Sequence, residues 1–180
     1  MLVRDLSFAA APGGLVEIRG GNGVGKTTLL RAIAGFVKPR AGRIALDRVE
    51  EPALALHYVG HLNGLKAAAS VRGHLRYWAG LFGVARRDDE ALQRMGLAAQ
   101  ADLPARVLSQ GQARRLALAR LVVARRPVWL LDEPAASLDA QGRAVLGEMI
   151  AAHRAEGGLA LAAVHEALGV EPSLVLTLGP

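Results

Sequence analysis

A glycine-rich loop at residues 20–28 constrains this chain more than any other segment. It reads GGNGVGKTT and fits the pattern G-x-x-x-x-G-K-[ST]. The apolar run Leu15–Ile18 precedes it, and apolar residues at helical spacing (29, 30, 33 and 34) follow it. A strand, a glycine loop and a helix in that order predict a loop whose backbone N–H groups face phosphate oxygens.

The motif predicts what individual residues of the loop bind. Lys26 is expected to reach the β- and γ-phosphates of a nucleotide, and Thr27 to hold Mg²⁺ with its hydroxyl. The predicted nucleotide-binding residues of this segment are Gly20, Gly21, Asn22, Gly23, Val24, Gly25, Lys26, Thr27 and Thr28.

Two later apolar runs predict further strands that end in polar residues. Val128–Leu131 leads into Asp132 and Glu133, and Leu159–Val164 leads into His165. Strands that alternate with helices favour an α/β fold with a parallel sheet, whose ligands bind beyond the carboxyl ends of the strands. Three motifs at such ends therefore predict one shared site. There Asp132 is expected to hold Mg²⁺, and Glu133 to polarise the attacking water.

The middle of the chain predicts helices. Apolar residues from Val71 to Phe82 recur at steps of three and four, which is typical of an amphipathic helix. Asp88 and Gly96 bracket a shorter helix, and another begins at Ser109 with a capping-box pattern. We expect a single domain in which residues 1–64 and 108–180 form the core, and about 65–107 form a helical insertion.

Composition narrows the class of protein. The sequence has no cysteine, no apolar stretch long enough to span a membrane and no signal-peptide pattern at its start, which favours a cytosolic protein. Its net charge is +6, but only three of its 22 basic residues are lysines. The arginines are spread along the chain, which favours a compositional bias over a nucleic-acid surface.

Taken together, the motifs resemble those of the ABC ATPase family. Leu108–Gln112 is similar to the LSGGQ signature, with Gln110 at the place of a glycine. The D-E-P run at 132–134 resembles the Walker B motif, S-L-D at 137–139 the D-loop, and His165 the switch histidine. The resemblance covers nearly the whole chain. It implies a P-loop NTPase fold of the ABC type, with a mainly parallel sheet and an inserted helical subdomain, that binds ATP and Mg²⁺ and hydrolyses ATP.

The resemblance also implies roles and partners. Glu133 and His165 would be catalytic, while Ser109, Gly111, Gln112 and Asp139 would contact nucleotide in a head-to-tail homodimer. In that dimer, the signature of one copy closes over the γ-phosphate held by Lys26 of the other. The helical insertion would dock on integral membrane transporter subunits, at the cytoplasmic face of the inner (plasma) membrane. No direct contact with nucleic acid is expected.

Residues 58–66 and the signature helix are similar to one subfamily, the ATP-binding subunit of the haem exporter of cytochrome c maturation. His61 falls where most relatives have a glutamine that contacts Mg²⁺, and it is predicted as a metal contact through a bound water, since imidazole is a poor direct ligand for a hard cation. In the family an adenine-stacking aromatic precedes the segment matching Leu6–Phe8. Only five residues do so here, so we expect a shortened start and Phe8 in the core, and no adenine-stacking residue is assigned.

Three other functions stay open from the sequence. The first is the ATPase subunit of another ABC exporter, for lipids or drugs, because cargo is chosen by the membrane subunits. The second is a nucleic-acid-associated ABC ATPase, although such proteins usually carry two ATPase halves, a coiled coil or a basic arm. The third is a small-molecule kinase, which would have no use for residues 109–112 or for His165.

Overall fold

The computed structural model describes residues 3–47 and 51–179. The chain divides into two compact units. The first comprises the chain up to His61, Arg126–Pro134 and the chain from Gly147 onward, and the second comprises Leu62–Arg125 and Ala135–Leu146. The described residues contain no helix that is both long and apolar enough to cross a membrane.

A parallel sheet is the centre of the first unit. Within the described residues it has five strands: β1 (Leu15–Arg19), β2 (Leu56–Val59), β3 (Val128–Asp132), β4 (Leu159–Ala163) and β5 (Leu174–Thr177). Their order is β2-β3-β4-β1-β5, and every neighbouring pair is parallel. This confirms the predicted α/β fold with a parallel sheet.

The strand order brings the three predicted motifs to one edge of the sheet. β3, β4 and β1 are neighbours, and Ala163 at the end of β4 pairs with both Asp132 and Ile18. All five residues of β3 are buried, as expected for a central strand of a parallel sheet that is covered on both faces.

Helices and the N-terminal segment complete the first unit. It contains α1 (Lys26–Ile33), the short α2 (Pro52–Ala55) and the later part of α6 (Ala140–Ala155). Leu30 and Ile33 of α1 pack into the same apolar core as the strands, and Phe8 packs against that core as predicted.

The second unit is helical. It contains α3 (Val71–Phe82), α4 (Asp88–Arg94), α5 (Gln110–Val123), two 3₁₀ turns and the first residues of α6. The 3₁₀ turns are Ala98–Gln100 and Ala105–Val107. Helix α3 begins where the Ser70 hydroxyl accepts from Gly73 N at 3.0 Å, and it ends at Gly83, whose φ of 64° is left-handed.

Candidate active site

The glycine loop connects β1 to α1 and requires its glycines. A Cβ at Gly20 would lie 2.4 Å from the carbonyl oxygen of Leu178, and φ there is 144°. Gly25 caps α1 in a left-handed conformation with φ 111°. Side chains at these positions would clash or strain the backbone, so the loop shape follows from the sequence.

Lys26 begins α1 and is only 6% exposed. Its Nζ donates to the carbonyl oxygens of Gly20 at 2.7 Å and Gly21 at 3.0 Å. An ammonium group has three donors, so a further N–H can reach an anion at the loop. The first turn of α1 carries no acidic residue, and its N-terminal dipole adds to this positive charge.

Thr27 and Asp132 meet at the end of β3. The Thr27 hydroxyl donates to Asp132 Oδ1 at 3.0 Å, and Asp132 is 1% exposed. A hydroxyl and a carboxylate are hard oxygen donors, and Mg²⁺ in nucleotide sites is usually held by one or two such groups plus phosphates and water. The pair therefore fits a magnesium ion. In the described part of the chain, no three His, Asp or Glu side chains form a metal-binding group.

Glu133 is held in an unusual backbone conformation. Its φ is 50°, and its N–H donates to the carbonyl oxygen of Ala163 at 2.9 Å. A non-glycine residue in this region is strained by about 1–3 kcal/mol, and such residues cluster at functional sites. The strand β4 thus fixes the position of the Glu133 backbone.

Two histidines flank the Glu133 carboxylate. His165 Nε2 lies 3.0 Å from Oε1, and His61 Nδ1 lies 3.3 Å from Oε2. The Glu133 side chain is 29% exposed, against 45% for His165 and 64% for His61. The structure therefore joins His61 to Glu133, a contact that the sequence did not predict. A role for His61 at the metal stays a prediction.

The signature residues lie in the second unit. Ser109 Oγ accepts from Gln112 N at 3.2 Å, and Gln112 Oε1 accepts from Ser109 N at 2.9 Å, which confirms the predicted capping box. A Cβ at Gly111 would lie 2.8 Å from the carbonyl oxygen of Ser137, so the signature and the 137–139 segment are in close contact. Asp139 Oδ1 accepts from Gly142 N at 2.7 Å in the first turn of α6.

Sequence reasoning missed the contacts that two arginines of α5 make with residues outside that helix. Arg114, 2% exposed, donates to Asn63 Oδ1 at 3.1 Å, and Arg120 donates to the Asn63 carbonyl oxygen at 3.1 Å. Arg120 also lies 4.7 Å from the centre of the Trp78 ring. Burial, and secondarily the nearby Arg114, lowers the pKa of Arg120 to about 10. The predicted spacing of α3 contained Trp78, but nothing in the pattern indicated its arginine partner.

Comparison with known proteins gives consistent matches. Residues 3–136 match the sequence profile described as "ABC transporter". The chain is 47% identical over 179 residues to the cytochrome c biogenesis ATP-binding export protein CcmA of Cereibacter sphaeroides, covering 99% of this chain and 82% of that protein. It is 46% identical over 169 residues to the protein of the same name from Rhodopseudomonas palustris, covering 92% and 84%. Among solved structures, an ABC transporter ATP-binding protein from Pyrococcus furiosus matches with a TM-score of 0.81 and 25% identity, covering 93% of this chain and 86% of that one.

Proposed function

Because this chain belongs to the ABC transporter family and is an ATPase, we propose that it powers a transporter of cytochrome c biogenesis, by coupling ATP hydrolysis to the export of haem or to a related step. The ATPase chemistry rests on the series of contacts from Thr27 to Asp132 and from Glu133 to His165. The observation that carries the biological role is the similarity, over nearly the whole chain, to proteins named for cytochrome c biogenesis.

The glycine loop and Lys26 bind the phosphates of ATP in this proposal. The backbone N–H groups of residues 20–28 and the dipole of α1 face the phosphate oxygens, and the buried Lys26 ammonium donates to them. Because the Lys26 ammonium is buried, its attraction to phosphate oxygens is less screened by water than it would be at the surface.

Thr27 and Asp132 would hold Mg²⁺ through their oxygen atoms. Mg²⁺ held by these two residues would supply positive charge against the negative charge that develops on the phosphates during hydrolysis. His61 is proposed to contact the ion through a bound water. Its position beside Glu133 is also compatible with a role in orienting that carboxylate.

Glu133 would act as the base for the attacking water. Its carboxylate has one oxygen beside His165 and one beside His61, so its orientation is defined on both sides. His165 is in addition proposed to contact the γ-phosphate, which would make it the second catalytic residue.

Two copies would pair head to tail. Ser109, Gly111 and Gln112 of one copy are proposed to contact the ATP held by Lys26 of the other, and Asp139 to lie at the same interface. The N-terminal end of α5, where the helix dipole is positive, supports an anion contact there. We further propose that integral membrane subunits bind the helical insertion, at the cytoplasmic face of the inner membrane.

The test of the biological role is removal of this subunit from its own cells. The expected result is loss of c-type cytochromes, measured by haem staining of denatured protein gels, with haem b enzymes retained. Re-expression of the wild-type chain should restore the stained bands. Normal c-type cytochromes together with a defect in lipid or drug export would contradict the proposal and indicate another exporter.

A further inference from the structure

Glu17 is a fully buried carboxylate in the middle of β1, with 0% exposure. A buried carboxylate is costly unless its oxygens accept hydrogen bonds, and both oxygens of Glu17 do so. Oε2 accepts from Arg19 Nε at 2.9 Å, and Oε1 accepts from the backbone N–H of Leu168 at 3.2 Å. The phosphate-binding and hydrolysis roles proposed above make no use of this residue.

Leu168 lies in the loop from β4 to β5, three residues after His165. The loop leaves β4 at Val164, whose N–H donates to the carbonyl oxygen of Ile18 at 3.0 Å. Three residues, His165 to Ala167, then separate that bond from the Leu168 bond to Glu17. Adjacent residues of β1 therefore hold both ends of the segment 164–168, one through its backbone and the other through the Glu17 side chain.

Arg19 fixes the direction of the Glu17 carboxylate. Residues i and i+2 of a strand share a face, so Arg19 lies beside Glu17 and binds the oxygen that does not face the loop. The Arg19 side chain is 41% exposed, so its charge stays partly hydrated while Glu17 stays buried. Arg19 thus leaves Oε1 turned toward Leu168.

We propose that Glu17 is a positioning residue for His165: it holds the loop so that Nε2 of His165 stays against Glu133. This inference rests on the proposed catalytic role of His165. It extends that role to a residue of β1 that does not itself contact the reacting groups.

The first test is made on the unaltered full chain by amide hydrogen exchange. The Leu168 amide is expected to exchange far more slowly than an unstructured amide, because its partner is a buried carboxylate. The Glu17→Gln variant, whose amide oxygen can still accept, should keep most of that protection, and Glu17→Met should lose it. Exchange of Leu168 at the unprotected rate in the wild-type chain would overturn the proposal, whatever the variants do.

The second test is a double-mutant cycle on ATP turnover. Glu17→Met should lower kcat by about tenfold or more with KM changed less than about twofold, since misplacement of a catalytic group affects the chemical step. Glu17→Gln should remain within about threefold of the wild type. In a His165→Ala background, Glu17→Met should produce no further loss, because the group that it positions is absent.

Ser173→Ala is the matched control. Ser173 Oγ accepts from the backbone N–H of Leu15 at 3.2 Å, the same kind of bond on the same strand, but away from His165. This variant should leave kcat unchanged. Multiplicative losses in the Glu17→Met, His165→Ala double variant would show a general structural role and overturn the proposal. If His165→Ala alone leaves kcat unchanged, the catalytic role of His165 fails first, and the positioning role fails with it.

Discussion

Lys26 shows how a charged side chain is buried against backbone carbonyl groups. Its ammonium is neutralised only in part, by the carbonyl dipoles of Gly20 and Gly21, which leaves a strong attraction for an anion at the loop. We expect Lys26→Ala to weaken ATP binding by about ten- to a hundredfold, since a hydrogen bond to a charged group contributes roughly 1.5–3 kcal/mol.

The measurement for Lys26 is a nucleotide titration of the purified chain. Lys38→Ala is the control, because Lys38 is an exposed lysine after α1 and outside the loop. Equal ATP affinity for the Lys26→Ala and wild-type chains would contradict a phosphate-binding role for Lys26.

His153 is a residue whose burial makes stability depend on pH. Its ring stacks on Trp129 at a centroid distance of 3.8 Å, and burial lowers the pKa of His153 below its ordinary value of 6.5. The unfolded chain therefore binds this proton at a higher pH than the folded chain does. Protonation of His153 in the unfolded chain therefore lowers the free energy of unfolding as the pH falls through and below about 6.5. At higher pH, where His153 is neutral in both states, it has no such effect.

We expect His153→Phe, which keeps an aromatic ring on Trp129, to lose less stability than the wild type between pH 8 and pH 5. The free energy of unfolding at each pH, from urea titrations, is the measurement. Identical pH slopes for the two chains would show that His153 is not responsible.

At the scale of elements, the contact between the signature and the 137–139 segment depends on the missing Cβ of Gly111. We expect Gly111→Ala to destabilise the second unit by about 1–3 kcal/mol, because the new methyl group would meet a backbone carbonyl. Gly80→Ala in α3 is the matched control: a Cβ there meets nothing within 4 Å, and alanine should stabilise the helix by about 0.5–1 kcal/mol. Thermal unfolding of both variants checks this, and a stabilised Gly111→Ala chain would contradict the close contact.

Elements with strong local patterns could be predicted from the sequence. The runs at β1, β3 and β4 are mostly apolar because those strands are largely buried, and the amphipathic period of α3 matches Val71–Phe82. β2 and β5 were missed. β2 carries His57 within four residues, and β5, at the edge of the sheet, alternates half-buried and exposed positions over four residues. Both owe their strand structure to a neighbouring strand rather than to their own sequence.

The candidate site was predictable only in part, because some of its contacts depend on tertiary packing and not on local sequence. The glycine loop and the carboxylates at the strand ends are recognisable from local sequence, and their placement at one edge of the sheet followed from the parallel fold. The contact of His61 with Glu133 and the bond from Glu17 to Leu168 join residues far apart in the chain. Such contacts arise from tertiary packing, which no local pattern records.

At the scale of the whole molecule, the proposed dimer makes hydrolysis depend on protein concentration. Specific activity should rise with concentration as copies associate, and each inactive variant should rescue the other. Lys26→Ala and Ser109→Arg chains should each be inactive alone, and their mixture should recover activity because one composite site per mixed dimer is intact. Specific activity that stays constant down to nanomolar protein would instead indicate a self-sufficient single copy.

The most direct measurement links the chemistry of Glu133 to the biological role. Cells whose only copy of this subunit is Glu133→Gln should contain the protein at the wild-type level yet lack c-type cytochromes, since removal of a general base slows turnover by about 10²- to 10⁴-fold. Haem staining of c-type cytochromes, beside an immunoblot of the subunit, gives the result. Loss of the stained bands with the subunit present is the predicted outcome, and wild-type amounts of c-type cytochrome in these cells would contradict it.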